Sequence, residues 1–141
     1  MALNDILLHI DSYPEATPNT AIDQAVGFVA ALGGTLSALA VTVSIPVRSN
    51  RVADYLIHLS DMAHEQEAKS LGACQVSLAY FRAQAEGADV LGEALLETAD
   101  LYLLSDRVAL RARTRDLSII PLAGLYDGQV EVVESVIFNS G

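Results

Sequence analysis

A chain of 141 residues is long enough to bury a proper core and reads as one domain spanning 1–141. Hydrophobic residues make up 52%, mostly aliphatic and without Trp, which excludes a disordered chain and suits a parallel sheet covered on both faces. The net charge of −10 argues against nucleic acid as a partner, and the single Cys74 excludes an internal disulfide.

The opening Met1-Ala2-Leu3-Asn4-Asp5 lacks the basic region and apolar stretch of a signal peptide. No apolar run is long and unbroken enough to span a bilayer. A cytoplasmic location with no membrane partner is expected.

Asp5 to Asp11 (DILLHID) predicts a short buried strand ended by Ser12, Tyr13 and Pro14. Thr17-Pro18 reads as an N-cap followed by proline in a first helical turn. Ile22, Ala25, Val26, Val29 and Leu32 follow at helical spacing, and Gly33-Gly34 supplies a left-handed stop. Leu36 to Ile45 is a second strand, apolar on both faces and stopped by Pro46. From Arg51 to Glu86 the pattern is helical, with Leu56, Leu59, Ala63, Leu71, Cys74, Leu78 and Phe81 on one stripe and Gly72 as a point of bending or interruption.

Ala94 to Leu104 holds a third strand, although ALLETADLYLL also fits a helix. Ser105 is the expected cap of a short helix reaching Arg115. Leu117 to Leu122 reads as a fourth strand, and Val130 to Phe138 as a helix after a loop from Gly124 to Gly128. Strands alternating with helices in this order predict an α/β fold, an open doubly wound parallel sheet with helices on both faces. Four strands fall within the chain, and a fifth is expected beyond Asn139-Ser140-Gly141.

The segments DILLHID and ALGGTLSALAVTV, with RARTRDLSIIPLAG and VEVVESVIFNSG near the end, resemble universal stress protein domains of the UspA type. The middle, about 46 to 100, resembles them only in layout. The resemblance implies a five-stranded parallel sheet and a homodimer or a second such domain in the same chain. It also implies that this chain is the first domain of a tandem protein, cut before its last strand. Some members of that family bind ATP and others do not.

In ATP-binding members an Asp after the first strand lies near the ribose and phosphates, a position that Asp11 matches. Their phosphate loop runs Gly, two residues, Gly, nine residues, then Gly with Ser or Thr. Glycines let backbone N–H groups approach phosphate, and a helix N-terminus adds a favourable dipole. Here Pro121, which has no N–H, stands at the first glycine, and Gly124 fits the second. Nine residues on lies Glu134-Ser135, whose carboxylate repels phosphate; with an insertion, Asn139-Ser140 aligns instead. The candidate nucleotide-binding residues are therefore Asp11, Val41, Gly124, Gly128, Asn139 and Ser140. Two of the three glycines are lost, and Asp127, Glu131 and Glu134 crowd the helix start. A plain tight turn at Gly124 and Gly128 is the favoured reading.

His58, Asp61, His64 and Glu65 are spaced three and four apart on a helix, a geometry conceivable for a metal. Their intervening apolar stripe marks them as a solvated face, and no metal is expected. His9, Asp11 and Ser12 sit too close along one strand for a catalytic relay, although His9 and Asp11 share a face at its carboxyl end. Arg107, Arg111, Arg113 and Arg115 are half of the eight basic residues. They read as balancing nearby carboxylates, with an anion or acidic partner as the alternative. Cys74 reads as a buried structural thiol.

A non-catalytic binding or signalling domain is the first expectation, acting by dimerisation or a partner surface with a degenerate nucleotide site and no cofactor. An ATP-binding stress-response switch is the alternative. An adenylyl-transferring enzyme on a related fold is a third reading, disfavoured by the absence of an intact phosphate loop.

Overall fold

The computed structural model describes residues 2–47, 53–122, 124 and 127–141. Four strands form one open parallel sheet in the order β3-β2-β1-β4, where β1 is Asp5–Ile10, β2 Thr35–Ser44, β3 Leu91–Asp100 and β4 Leu117–Ile119. The helices are α1 (Asn19–Leu32), α2 (Ala53–Gly87), α3 (Leu104–Ala112) and α4 (Asp127–Asn139), with a short 3-10 turn at Leu101–Leu103. This is the doubly wound α/β architecture that the alternating pattern predicts.

The central strands are apolar on both faces because both are covered. Ile6, Leu8 and Ile10 of β1 pack with Ala38 and Ala40 of β2 against α1 and α2, through Ile22, Val29, Leu78 and Phe81. On the opposite face Leu7, Leu39 and Val41 meet Val108 and Ala112 of α3 and Val132 of α4. Alternation along a strand sends neighbouring residues to these two cores.

Gly33 ends α1 in the left-handed conformation at φ 73°, with its N–H and that of Gly34 returned to Ala30 and Val29 carbonyls. Gly72 neither bends nor interrupts α2, which runs unbroken to Gly87. The expected start of that helix at Arg51 lies outside the described residues. In mid-helix, Ser70 Oγ accepts from Val43 N at 3.1 Å and Glu67 Oε1 from Ile45 N at 2.7 Å. These bonds fix the carboxyl end of β2 against α2.

Several boundaries move for local reasons. Thr17 does not cap α1; its Oγ1 accepts from Asp11 N at 2.7 Å, and the helix starts after Pro18. β3 begins at Leu91 and ends at Asp100, whose side chain accepts from Tyr102 N and turns the chain into the 3-10 segment. That explains why the sequence from Ala94 to Leu104 matches both strand and helix. Ser105 lies inside α3 and caps nothing, its hydroxyl reaching Glu131 at 3.5 Å. β4 stops at Ile119, before Pro121, and α4 starts at Asp127, placing Gly128 in a helical first turn and not in a loop.

Candidate functional site

Strand order fixes where a ligand crevice should lie. α1 and α2 carry the chain from β1 outward to β3 on one face, and α3 carries it back to β4 on the other. The order therefore switches between β1 and β4, and open α/β sheets bind ligands beyond the carboxyl ends of such strands. Asp11 stands there after β1, and Pro121 and Gly124 stand there after β4.

That crevice is filled by the protein itself. Gln129, buried in the first turn of α4, donates from Nε2 to Asp11 Oδ2 at 3.2 Å. Its Oε1 accepts from Gly124 N at 3.3 Å. One carboxamide thus engages both the acidic group and the glycine N–H that the sequence marks as ligand-facing. About 10 Å³ remains between Asp11, Thr17, Pro121, Gly124 and Gln129, room for one water at most. Tyr126, which follows Pro121 in the same loop, lies outside the described residues.

On the other side of Asp11 the molecule is open. A cavity of about 330 Å³ lies between the loop after β1 and the first turns of α3 and α4. Pro14, Leu104 and Val132 form its apolar wall, with Asp11, Asp127 and Glu131 at its rim. A larger cleft of about 680 Å³ lies beside α2, lined by Met62, Ala63 and Ile45. Among its described lining residues the one carboxylate, Asp100, is already engaged by Tyr102 N.

His9 lies beneath Asp11 on the same face. Its Nε2 is 3.7 Å from Asp11 Oδ1, beyond hydrogen-bond reach, and neither ring nitrogen has a hydrogen-bond partner among the described residues. Burial pushes the imidazole pKa down, and the nearby Asp11 carboxylate opposes this. A neutral, desolvated histidine follows. Ser12 turns away from both, donating to the Val41 carbonyl at 3.0 Å and meeting Ser70 Oγ at 2.7 Å. No relay joins the three.

The expected site residues are only partly brought together. Asp11 and Gly124 share the crevice through Gln129, and buried Val41 lies on the neighbouring strand, its carbonyl bound by Ser12. Gly128 lines the larger cavity beside Asp11. Asn139 and Ser140 do not join them. They close α4 at its far end, about 18 Å along the helix from Asp127. There Arg113 Nε donates to the Asn139 carbonyl at 2.6 Å, and the Ser140 hydroxyl bonds the Val136 carbonyl. The helix expected over Val130 to Phe138 is itself what carries them away from Asp11.

Gln129 was not legible as a site residue. Its one signal is position: with Val132 and Ser135 it forms the buried stripe of α4, a polar group where an aliphatic one would be expected.

Elsewhere, Arg111 pairs with Glu97, and Arg107 Nε lies 4.0 Å from the same carboxylate. Arg115 bridges Asp5 and Glu93, each at 2.8 Å. These three arginines lie against local carboxylates, whereas Arg113, expected to do the same, donates to the Asn139 carbonyl. Among the described residues no group of three or more His, Cys, Asp or Glu is arranged to hold a metal, and His64 faces Glu67 at 3.5 Å. Cys74 is fully buried, and burial raises its thiol pKa. Among the described residues no helix is long and apolar enough to cross a membrane.

No protein-family model matches the sequence, and no curated protein matches it. The fold is similar to that of a solved structure, universal stress protein UspA from Lactobacillus plantarum. The likeness has a TM-score of 0.50 at 14% identity and covers 96% of this chain and 93% of that one. At that identity the likeness is one of fold: four parallel strands in one open sheet with helices on both faces.

Proposed function

We propose that this chain is a non-catalytic binding and signalling domain on a universal stress protein-like fold. It acts in the cytoplasm through a second copy, or through a second domain of the same type in one chain. Its nucleotide crevice is degenerate. The observation that carries this reading is the Gln129 carboxamide, which satisfies Asp11 and the Gly124 N–H and leaves about 10 Å³ at the switch point. Pro121 withdraws a further N–H from the same rim. A phosphate would have to displace Gln129 and approach Asp11, Asp127 and Glu131 with like charge.

An ATP-responsive switch is the second reading, favoured by the cavity of about 330 Å³ on the other side of Asp11. Thermal shift and calorimetry with ATP and Mg²⁺ separate the two. No stabilisation at millimolar ATP supports the binding domain. A rise in Tm that Asp11→Ala abolishes supports the switch. Catalysis would require a titratable pair converging on one ligand position, and His9 is sealed from the open cavity by its burial.

A further inference from the structure

β3 is the long open edge of this sheet. It runs ten residues, Leu91–Asp100, pairs with β2 on one side, and has no strand on the other among the described residues. The opposite edge, β4, offers only Leu117–Ile119. Proteins guard a long edge with charged side chains, lysine above all, with proline, or with a bulge in mid-strand. β3 has no proline or lysine, its carboxylates Glu93 and Glu97 are each neutralised by an arginine, and its one register irregularity falls near its start, opposite Leu36–Ala38.

Charge says which partner suits it. The molecule carries −10, so a second copy is repelled over most of the surface. The flank of β3 is different. Glu93 is held by Arg115, and Glu97 by Arg111 with Arg107 nearby, so three of the eight basic residues gather where the strand is open. On the other face Leu96 is 45% exposed at the edge.

We infer that β3 pairs antiparallel with β3 of a second copy across a two-fold axis at Leu96, making one continuous eight-stranded sheet from two four-stranded ones. This rests on the proposed action through a second copy and specifies the surface. The register follows from the side chains. Centred on Leu96, it sets Leu96 against its own copy and Ala94 against Thr98 on the α2 face. On the α3 face it sets Glu97 against Leu95 and Glu93 against Ala99. No carboxylate then lies directly opposite another, whereas a register centred on Leu95 would oppose Glu93 and Glu97. The strand is self-complementary, as an isologous interface must be.

Charge exchange at the axis tests this in the intact chain. Leu96→Lys and Leu96→Glu each place like charges against each other in a homodimer and opposite charges in a mixture. Sedimentation equilibrium should find the parent chain dimeric and each variant's dissociation constant raised about tenfold or more. Mixing the two variants should restore dimers, while Ser118→Lys on the β4 edge should leave the parent behaviour unchanged. Unchanged far-ultraviolet circular dichroism and a cooperative unfolding transition for the variants establish that folding is intact. A dimer insensitive to Leu96, or broken by Ser118→Lys alone, overturns the β3 interface but leaves action through a second copy standing. A parent chain monomeric at all concentrations overturns both.

Discussion

Asp11 accepts from the Gln129 amide at 3.2 Å, and the buried imidazole of His9 stands 3.7 Å from its other oxygen without a hydrogen bond. Hydrogen bonds to a charged group contribute about 1.5–3 kcal/mol, so Gln129→Ala should destabilise the fold by that order. The same variant should speed amide exchange at Gly124, whose N–H loses its acceptor; native-state hydrogen exchange reads both effects. Gln129→Glu should cost more at neutral pH, because it sets a second carboxylate against Asp11. His9 adds a pH dependence of definite sign. Its folded pKa lies below the unfolded value of about 6.5, so the unfolded chain takes up the proton first. The stabilisation is complete above about pH 6.5 and declines as pH falls toward the folded value. Urea midpoints between pH 7.5 and 5 should therefore fall more steeply for the parent chain than for His9→Leu.

Among the elements, α1 and α2 each give four buried residues to the larger core, and β3 has the least room for change. Phe81 is fully buried beneath the sheet, and Phe81→Ala should cost about 3–5 kcal/mol by denaturant unfolding. Gly92 sits where β3 crosses closest to β2. A Cβ there would meet Ser37 Oγ at 2.5 Å and Thr35 Cγ2 at 2.9 Å, so Gly92→Ala must move β2 or lose the start of the ladder. A lowered Tm, with the Ser37 bond to Glu93 N broken, is the expected outcome. The amino ends of β1 and β4 are joined by Asp116, whose Oδ2 accepts from Asn4 N and Asp5 N at 2.9 and 3.0 Å. Those N–H donors hold its carboxyl below the usual range. Its contribution is present above the unfolded carboxylate pKa and is lost as pH falls through the folded value. Asp116→Asn should therefore flatten the acid limb of unfolding below about pH 4.

For the whole molecule the decisive quantity is charge. A net charge of −10 opposes compaction and association alike. Raising salt from a few millimolar to 0.15 M shortens the screening length to about 8 Å, and both Tm and dimer fraction should rise. If the ion pairs around β3 dominated instead, salt would lower both, because exposed pairs weaken on screening.

The amino-acid sequence alone determines the layer order. DILLHI and TLSALAVTVS are apolar on both faces, which only a strand covered on both sides can satisfy, and Gly33-Gly34 stops α1 by backbone freedom that no other residue has. The missing N–H at Pro121 is equally plain, whatever surrounds the residue. Tertiary structure alone decides the rest. Thr17 holds the end of β1 and not the start of α1, since its hydroxyl accepts from the Asp11 N–H at 2.7 Å and the helix begins only after Pro18. Asp100 resolves a stretch that fits both strand and helix by capping the turn after it. Gln129 closes the crevice because α4 begins at Asp127 and carries its amide between Asp11 and Gly124, residues 113 positions apart in the chain. Local patterning fixes which segments are buried; which polar group meets which depends on where the elements end, and that is settled only when they pack.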